Sequence, residues 1–436
     1  MTNEVSLREI VLEMLLMVTK EGKSSHLVLN DVLSKYAFLP KNERSFIKRL
    51  FMGTLEDMYE LDYIINYISS TRTNKMKPVI LNLLRMAVYQ IFYMDSVPDN
   101  AAVNEAVNLA GKRGFKNLKG FMNGVLRNII RKKDMIDHPS RDNFDDYMEV
   151  KYSMPRELIK ILLKDYSKDE IEEIGKASKV KRDVVIRVNT TKISVEDYML
   201  KLKDAKVTAN QSEKFKEALI VKDFDLIETL PGYDEGEFYV QDISSMEAID
   251  AIGLTKGLNV VDVCAAPGGK SIMAAILMEN EGNIISRDLS EYKADRIREN
   301  VERIGLDIIK PEVHDALSLD SDMVDKMDVV IADLPCSGIG VIAKKPDIKY
   351  NVNLTGIDEL AALQEKILDT VKNYVKSGGR ILFSTCTITK AENVNNTKAF
   401  LAKNPEFELL KEKQIMPSNV QDGFYYALMQ RKYGNN

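Results

Sequence analysis

The stretch VVDVCAAPGGKS, residues 260–271, runs from an apolar strand pattern into a glycine loop, and the fold turns on how it is read. It is one letter away from the phosphate loop G-x-x-x-x-G-K-[ST]: Gly269, Lys270 and Ser271 stand where that motif needs them, but Cys264 replaces its first glycine. Outward from this stretch, short apolar runs alternate with amphipathic helical patterns. NVVDVCA (259–265), NIISRDL (283–289), KPEVHDA (310–316), DVVIADLP (328–335) and GGRILFSTC (378–386) have the length and composition of buried strands. KSIMAAILMEN, SEYKADRIRENVERIG and GIDELAALQEKILDTVKNYVKSGG read as three of the helices between them. That alternation predicts an α/β fold with a parallel, doubly wound sheet, to which FELLKE and FYYALMQRK add a terminal antiparallel hairpin.

The N-terminal third has a different period. SFIKRLFMGTLEDMYELDYIINYI and PVILNLLRMAVYQIFYM carry apolar residues three and four apart, the spacing of helices with a buried stripe. Pro78 suits a first helical turn, DSVPDN (95–100) a turn, and AAVNEAVNLAGKRG a further helix stopped by Gly111 and Gly114. The polar, proline-broken stretch 134–155 reads as a linker, followed by a mixed segment with the β-rich DVVIRVNTT and ALIVKDF. Three domains are expected: an all-helical one over 1–135, a small α+β one over 145–235, and the α/β one over 236–436.

Composition narrows the class. No run of about 18 apolar residues is present, and the acids Glu4, Glu9 and Glu13 are unlike a signal peptide, so a cytoplasmic protein without a membrane partner is expected. Three cysteines with no C-x-x-C exclude a disulfide framework, and with three histidines they give a metal site poor support. The net charge of −5 hides an asymmetry. Residues 1–140 hold 20 Lys and Arg against 15 Asp and Glu, leaving −10 for the rest. Within 111–133 there are eight basic residues and no acid. Lys112, Arg113, Lys116, Lys119, Arg127 and Arg131 are therefore candidates for phosphate contacts, the alternative being a solvated helix face.

In an open α/β sheet ligands bind at the carboxyl ends of the strands, and the unusual residues fall there. The strand mouths carry Asp262 and Cys264, Asp288, Asp315, Asp333 with Cys336, and Cys386 within STCT. An ATPase has some support, because VVIAD would pass as a Walker B strand. Against it, Cys264 lacks the positive-φ freedom of the missing glycine. Asp288 lies 26 residues beyond Asp262, as a ribose-binding acid would. CAAPGGK is no NAD fingerprint either. S-adenosylmethionine fits better: Asp288 for the ribose diol, Asp315 for the adenine edge, acidic surroundings for a sulfonium. Each aspartate alone is also compatible with a helix N-cap. The two remaining thiols then suggest the reaction. A thiolate added at C6 of cytosine breaks aromaticity and makes C5 nucleophilic, splitting one hard step into easier ones. ADLPCSG (332–338) and STCT (384–387) supply an acid and two thiols on adjacent strand ends.

DVCAAPGGKS, DLPCSGIG, KPDIKY and STCT resemble the signature blocks of RNA cytosine-5 methyltransferases of the Nol1/Nop2/Sun group. LLRMAVYQIFYMDSVPDNAAVNEAV and KGFMNGVLRNIIR resemble the NusB-like RNA-binding domain of the bacterial branch that methylates 16S ribosomal RNA. The resemblance covers almost the whole chain. It implies a class I, Rossmann-like methyltransferase domain following the NusB-like one, acting on cytidine 967 of that RNA; separately from the resemblance, a monomer is expected. By it, Cys386 is the nucleophile, Cys336 assists breakdown of the adduct, and Asp333 binds the cytosine edge close to the cofactor. Cys264, Ala265, Ala266, Pro267, Gly268, Gly269 and Lys270, with Asp288, Asp315 and Asp333, would hold S-adenosylmethionine. EFYVQDISSMEA (237–248) resembles the segment leading into the first strand, and VIRVNTT the small RNA-contacting subdomain. Tyr350 stands where the family has tryptophan, and Arg287 where a small or apolar residue is usual. A tRNA substrate and a non-catalytic RNA-binding assembly factor are the competing readings.

Overall fold

The computed structural model describes residues 6–434. The chain forms two compact units. One comprises the residues up to Val180 together with Ile342–Val352, the other Lys181–Val341 and the residues from Asn353 onward. This division falls inside the expected 145–235 segment and lifts KPDIKY out of the α/β domain.

The first unit is helical. Helices Leu7–Thr19, Ser25–Lys35, Lys41–Glu56, Met58–Ile68, Pro78–Tyr93, Asp99–Lys112 and Lys119–Lys132 surround one core that includes Leu15, Phe51, Leu84 and Leu126. The run expected over 45–68 is two helices, parted at Asp57, whose carboxylate pairs with Lys179. The stretch 134–155, expected as a linker, contains the helix Phe144–Lys151. Its Phe144, Met148 and Val150 are buried, and it packs on helix Met58–Ile68. Apolar residues at four-residue spacing outweigh the flanking prolines there. Helices Arg156–Leu162 and Lys168–Lys179 complete the run, the latter opened by a capping box between Ser167 and Glu170.

The segment Ile342–Val352, which leaves the α/β unit after Val341, is built into this helical unit. The fully buried Lys349 donates from Nζ to the carbonyls of Glu56 (3.0 Å) and Tyr152 (3.3 Å), and Tyr350 Oη donates to Leu55 O (2.6 Å). The Tyr350 ring stacks on Tyr59, 5.4 Å between centroids. A smaller ring than tryptophan thus still reaches an aromatic partner.

The second unit opens with a four-stranded antiparallel sheet of β1 (Val184–Val188), β2 (Thr208–Gln211), β3 (Ala218–Lys222) and β4 (Phe238–Val240), in the order β2-β3-β1-β4. Helix Val195–Asp204 lies between β1 and β2 in sequence, with Tyr198 and Leu202 in the core beside Ile186 and Val188. The main sheet follows: β5 (Asn259–Asp262), β6 (Asn283–Asp288), β7 (Ile309–Val313), β8 (Met327–Asp333), β9 (Val375–Thr385), β10 (Phe407–Ile415) and β11 (Phe424–Arg431). Its order is β10-β11-β9-β8-β5-β6-β7. Strands β5 to β9 pair in parallel, and β11 runs antiparallel between β9 and β10.

Both faces of this sheet are covered, as a parallel sheet requires. Val260, Val329, Ile331 and Leu382 point into one core, while their neighbours Val261, Val330, Ala332, Ile381 and Phe383 point into the other. That two-residue alternation of uniformly apolar strands makes them legible, and it delivers the C-terminal ends of β5, β6, β8 and β9 to one rim. The second unit is thus a doubly wound α/β sheet of the Rossmann-like kind, and the first an all-helical unit.

Candidate active site

The glycine loop hangs between β5 and helix Gly269–Leu277. Gly268 caps that helix with φ of +103°, a conformation that glycine adopts without a Cβ penalty. The Ala266–Pro267 peptide is cis. Two backbone N–H groups fix the loop to β6: Ala265 N–H donates to Arg287 O (2.8 Å) and Ala266 N–H to the side-chain Asp288 Oδ2 (3.0 Å). Below the loop, Ser286 Oγ, Ser271 Oγ and Asp262 Oδ2 form a buried chain with steps of 2.7 and 2.8 Å. Asp262 Oδ1 is buried without a hydrogen-bond partner, and burial pushes this carboxyl up to about 7 against the pull of Ser271 and Lys270. Gln241 donates from Nε2 to Gly269 O (3.2 Å) and leaves its own Oε1 buried and unpartnered.

Asp288 closes the loop's outer side, with Oδ1 accepting from Leu289 N–H and Lys293 Nζ, each at 2.8 Å. Asp315 is brought near through the backbone, because its neighbour His314 donates from N–H to Asp288 O (3.0 Å). Asp315 itself is exposed, and its Oδ1 caps the local turn by accepting from Leu317 N–H (3.0 Å). It leaves one carboxylate oxygen for a ligand.

The two other thiols meet. Cys336 Sγ lies 3.3 Å from Cys386 Sγ, the first on the loop after β8 and the second just past β9. The hydrogen bond with Cys386, burial, and the charges of Cys386, Glu392 and Asp333 raise the Cys336 thiol well above its ordinary value. Beside the pair, Asp333 accepts from Lys270 Nζ through Oδ2 (2.6 Å) and from Ser384 Oγ through Oδ1 (2.7 Å). Burial opposes the Lys270 ammonium, but the Asp333 charge and hydrogen bond outweigh it and hold this lysine above its ordinary value. Its ammonium also lies 5.4 Å from the centroid of Phe424. Cys264 is outside this thiol pair; burial and the charges of Asp262, Asp288 and Asp333 raise it, so it stays a neutral loop residue.

Several site residues gave no signal in the sequence. Glu392, fully buried, knits the two cysteine loops, Asn393 brackets Cys386, and Gly340 packs by backbone against Cys386 on one side and Gly423 on the other. Their polar or small character in a loop is indistinguishable from ordinary turn chemistry. Among the described residues no group of three or more His, Cys, Asp or Glu is placed to hold a metal ion.

The basic candidates separate in the helical unit. Arg127 and Arg131 lie on the face of helix Lys119–Lys132 away from its buried Met122, Leu126 and Ile129, whereas Lys119 is half-buried, three residues before Met122 and with its stem against Gly111. Arg127 is bonded to Asn123 and Arg131 to Asn128. Lys112 and Lys116 are exposed, whereas Arg113 is committed to Glu9 and Glu13.

Models of three families match the chain: the NusB family over residues 5–131, a ferredoxin-like domain of RsmF/B-type methyltransferases over 154–225, and "16S rRNA methyltransferase RsmB/F" over 251–431. Among curated relatives, "Probable ribosomal RNA small subunit methyltransferase B" of Bacillus subtilis is 32% identical, over 98% of this chain and 99% of that protein. The chain belongs to the RsmB/F methyltransferase family. "Ribosomal RNA small subunit methyltransferase B" of Escherichia coli is 28% identical over 99% of this chain and 100% of its own length. A crystal structure of the protein PH0851 superposes with a TM-score of 0.82 at 27% identity, covering 98% of this chain and 99% of that one.

S-adenosylmethionine is the cofactor of this family's fold, and the residues present fit it. The orphaned Asp262 Oδ1 and Gln241 Oε1 are acceptors beside a loop of glycines, suited to a ligand bearing an ammonium and a sulfonium. Asp288 at the end of β6 and the open oxygen of Asp315 are acceptors for hydroxyls and an amine. No helix among the described residues is long and apolar enough to cross a membrane.

Proposed function

We propose that this protein methylates C5 of a cytosine in 16S ribosomal RNA, at position 967, through a covalent bond between Cys386 and C6 of the base. The observation that carries this reading is the contact of two thiols, 3.3 Å apart, on adjacent strand ends beside the Lys270–Asp333 pair. A methyltransferase acting on a nitrogen or an oxygen has no use for two thiols in contact. The relatives' names supply the RNA, since pocket chemistry sees only the flipped base.

Cys386 adds as thiolate to C6, moving the ring's electron pair to C5. S-adenosylmethionine, when bound, supplies the methyl group that C5 takes. Solvent water then takes the C5 proton, the C–H electron pair re-forms the C5–C6 double bond, and Cys386 leaves C6 as thiolate. Asp333, held by Lys270 and Ser384, presents a carboxylate to the exocyclic amine of the cytosine. Cys336, its sulfur 3.3 Å from that of Cys386, assists breakdown of the adduct. We assign residues 1–135 to RNA binding through Lys112, Lys116, Lys119, Arg127 and Arg131, residues 145–235 to a second RNA contact, and 236–436 to catalysis.

Incubation with 16S RNA and S-adenosylmethionine, followed by nucleoside mass spectrometry, should yield 5-methylcytidine, and Cys386→Ala should abolish it. Methylation at another atom, or activity surviving in Cys386→Ala, refutes the proposal.

A further inference from the structure

We propose that Glu392 is a positioning residue that fixes the two thiols relative to each other; this rests on the cysteine chemistry proposed above. Its side chain is fully buried. Ser337, which follows Cys336, donates to it twice: from N–H to Oε1 and from Oγ to Oε2, both at 2.6 Å. Thr389 Oγ1 donates to Oε2 at 2.6 Å. Thr387, which follows Cys386, lies 2.7 Å from Ser337 Oγ and 3.4 Å from Glu392 Oε2. Each hydroxyl has one proton. Ser337 spends its proton on Glu392, so the Thr387 proton is shared between Ser337 Oγ and, at longer range, Glu392 Oε2.

One carboxylate therefore gathers the residue after each cysteine. The adjacent Asn393 acts on one loop alone. It accepts from Thr385 Oγ1 (2.5 Å) and donates to Thr387 O (3.1 Å), bracketing Cys386 on both sides. Asn393 thus shapes the Cys386 turn, while Glu392 reaches across to set where Cys336 stands against it. Charge-assisted bonds of this length are the strong ones, and a convergent, buried set of them suits holding two sulfurs in contact. Glu392 acts through Ser337 and Thr387, the neighbours of the two cysteines, so its part is placement, not proton transfer.

Glu392→Gln keeps the shape but turns one acceptor into a donor facing donors. We expect kcat to fall about 10- to 100-fold, the scale of an ångström-sized misplacement of a reacting group. KM for S-adenosylmethionine should stay within about twofold, because the cofactor loop lies on β5 and β6. A protein–RNA band resistant to denaturation should appear where wild type shows none, because a displaced Cys336 leaves the adduct standing. Thr389→Val removes one donor to the same carboxylate while keeping its shape, and should move kcat and the band in the same direction by less; it decides the matter if Glu392→Gln does not fold. Wild-type kcat in both variants overturns the proposal. So does a fall in kcat matched by weaker cofactor binding with no covalent band, the mark of a merely structural role. If wild type makes no 5-methylcytidine, the parent reading has failed and this one falls with it; if wild type does and the variants behave like it, only this one fails.

Discussion

Gly340→Ala is expected to cripple methyl transfer while leaving the cofactor in place. A Cβ at this position would lie 2.6 Å from the Gly423 carbonyl carbon and 2.7 Å from Cys386 O, and closer still to Gly423 O. All three atoms are backbone, so no side chain can swing aside. They are also tied to Gly340, which donates from N–H to Cys386 O (3.1 Å) and accepts from Gly423 N–H (2.9 Å). Restoring an ordinary carbon contact of about 3.5 Å requires a shift near 1 Å, shared between the Cys336 loop and the strand bearing Cys386. Losing two buried backbone hydrogen bonds costs about 2 kcal/mol, and overpacking about 1–3 kcal/mol more. Misplacing one thiol by that distance costs about 100-fold in rate. The assay is the initial rate of labelled methyl incorporation into 16S RNA, with cofactor affinity by calorimetry and a thermal melt on the same sample. A variant with activity within about threefold of wild type and an unchanged melting temperature refutes the claim that this three-way backbone contact sets the geometry of the thiols.

Cys336→Ala should leave the protein covalently attached to RNA, seen as a slow band on a denaturing gel, while Cys386→Ala shows none. Lys349→Met should alter how stability depends on pH. Burial, helped by the charge of Lys179, holds the Lys349 ammonium down at about 7. Between pH 7 and its ordinary value the unfolded chain binds one more proton, so its contribution to stability rises with pH across that window and is flat below it. Wild type should gain on the methionine variant by up to about 1.4 kcal/mol per pH unit from 7 toward 10. Urea melts giving parallel pH profiles would contradict this. Lys116→Ala and Arg131→Ala should each weaken RNA binding and lower the salt slope by about 1 in filter-binding titrations. Arg113→Ala, which releases Glu9 and Glu13 instead, should leave the slope unchanged.

Much of the α/β unit could be read from β5, β8 and β9, because strands covered on both faces are written as unbroken apolar runs. The carboxyl ends of β5, β6, β8 and β9 then placed Asp262, Asp288, Asp333, Cys336 and Cys386 on one rim. Elements held by tertiary contact were illegible. Strand β2, TANQ, is a polar edge with one paired side. The break at Asp57 interrupts no apolar period. Lys349 and Tyr350 carry no local mark of the core they enter, since a lysine seldom lies wholly buried and local pattern cannot say which domain a loop joins. Glu392 is hidden for the same reason: a buried acid in a polar stretch is defined by the donors around it, and those come from positions 337, 387 and 389.

The central claim is that Cys386 bonds covalently to the base it methylates. The most direct test incubates the enzyme with S-adenosylmethionine and 16S RNA bearing 5-fluorocytidine, whose C5 fluorine cannot leave as a proton does, so the adduct stalls. Peptide mass mapping of the trapped complex should find the nucleotide on Cys386, with Cys336 and Cys264 unmodified. Attachment to Cys336, or transfer at an unsubstituted cytosine with no trapped species at the fluorinated one, would contradict it.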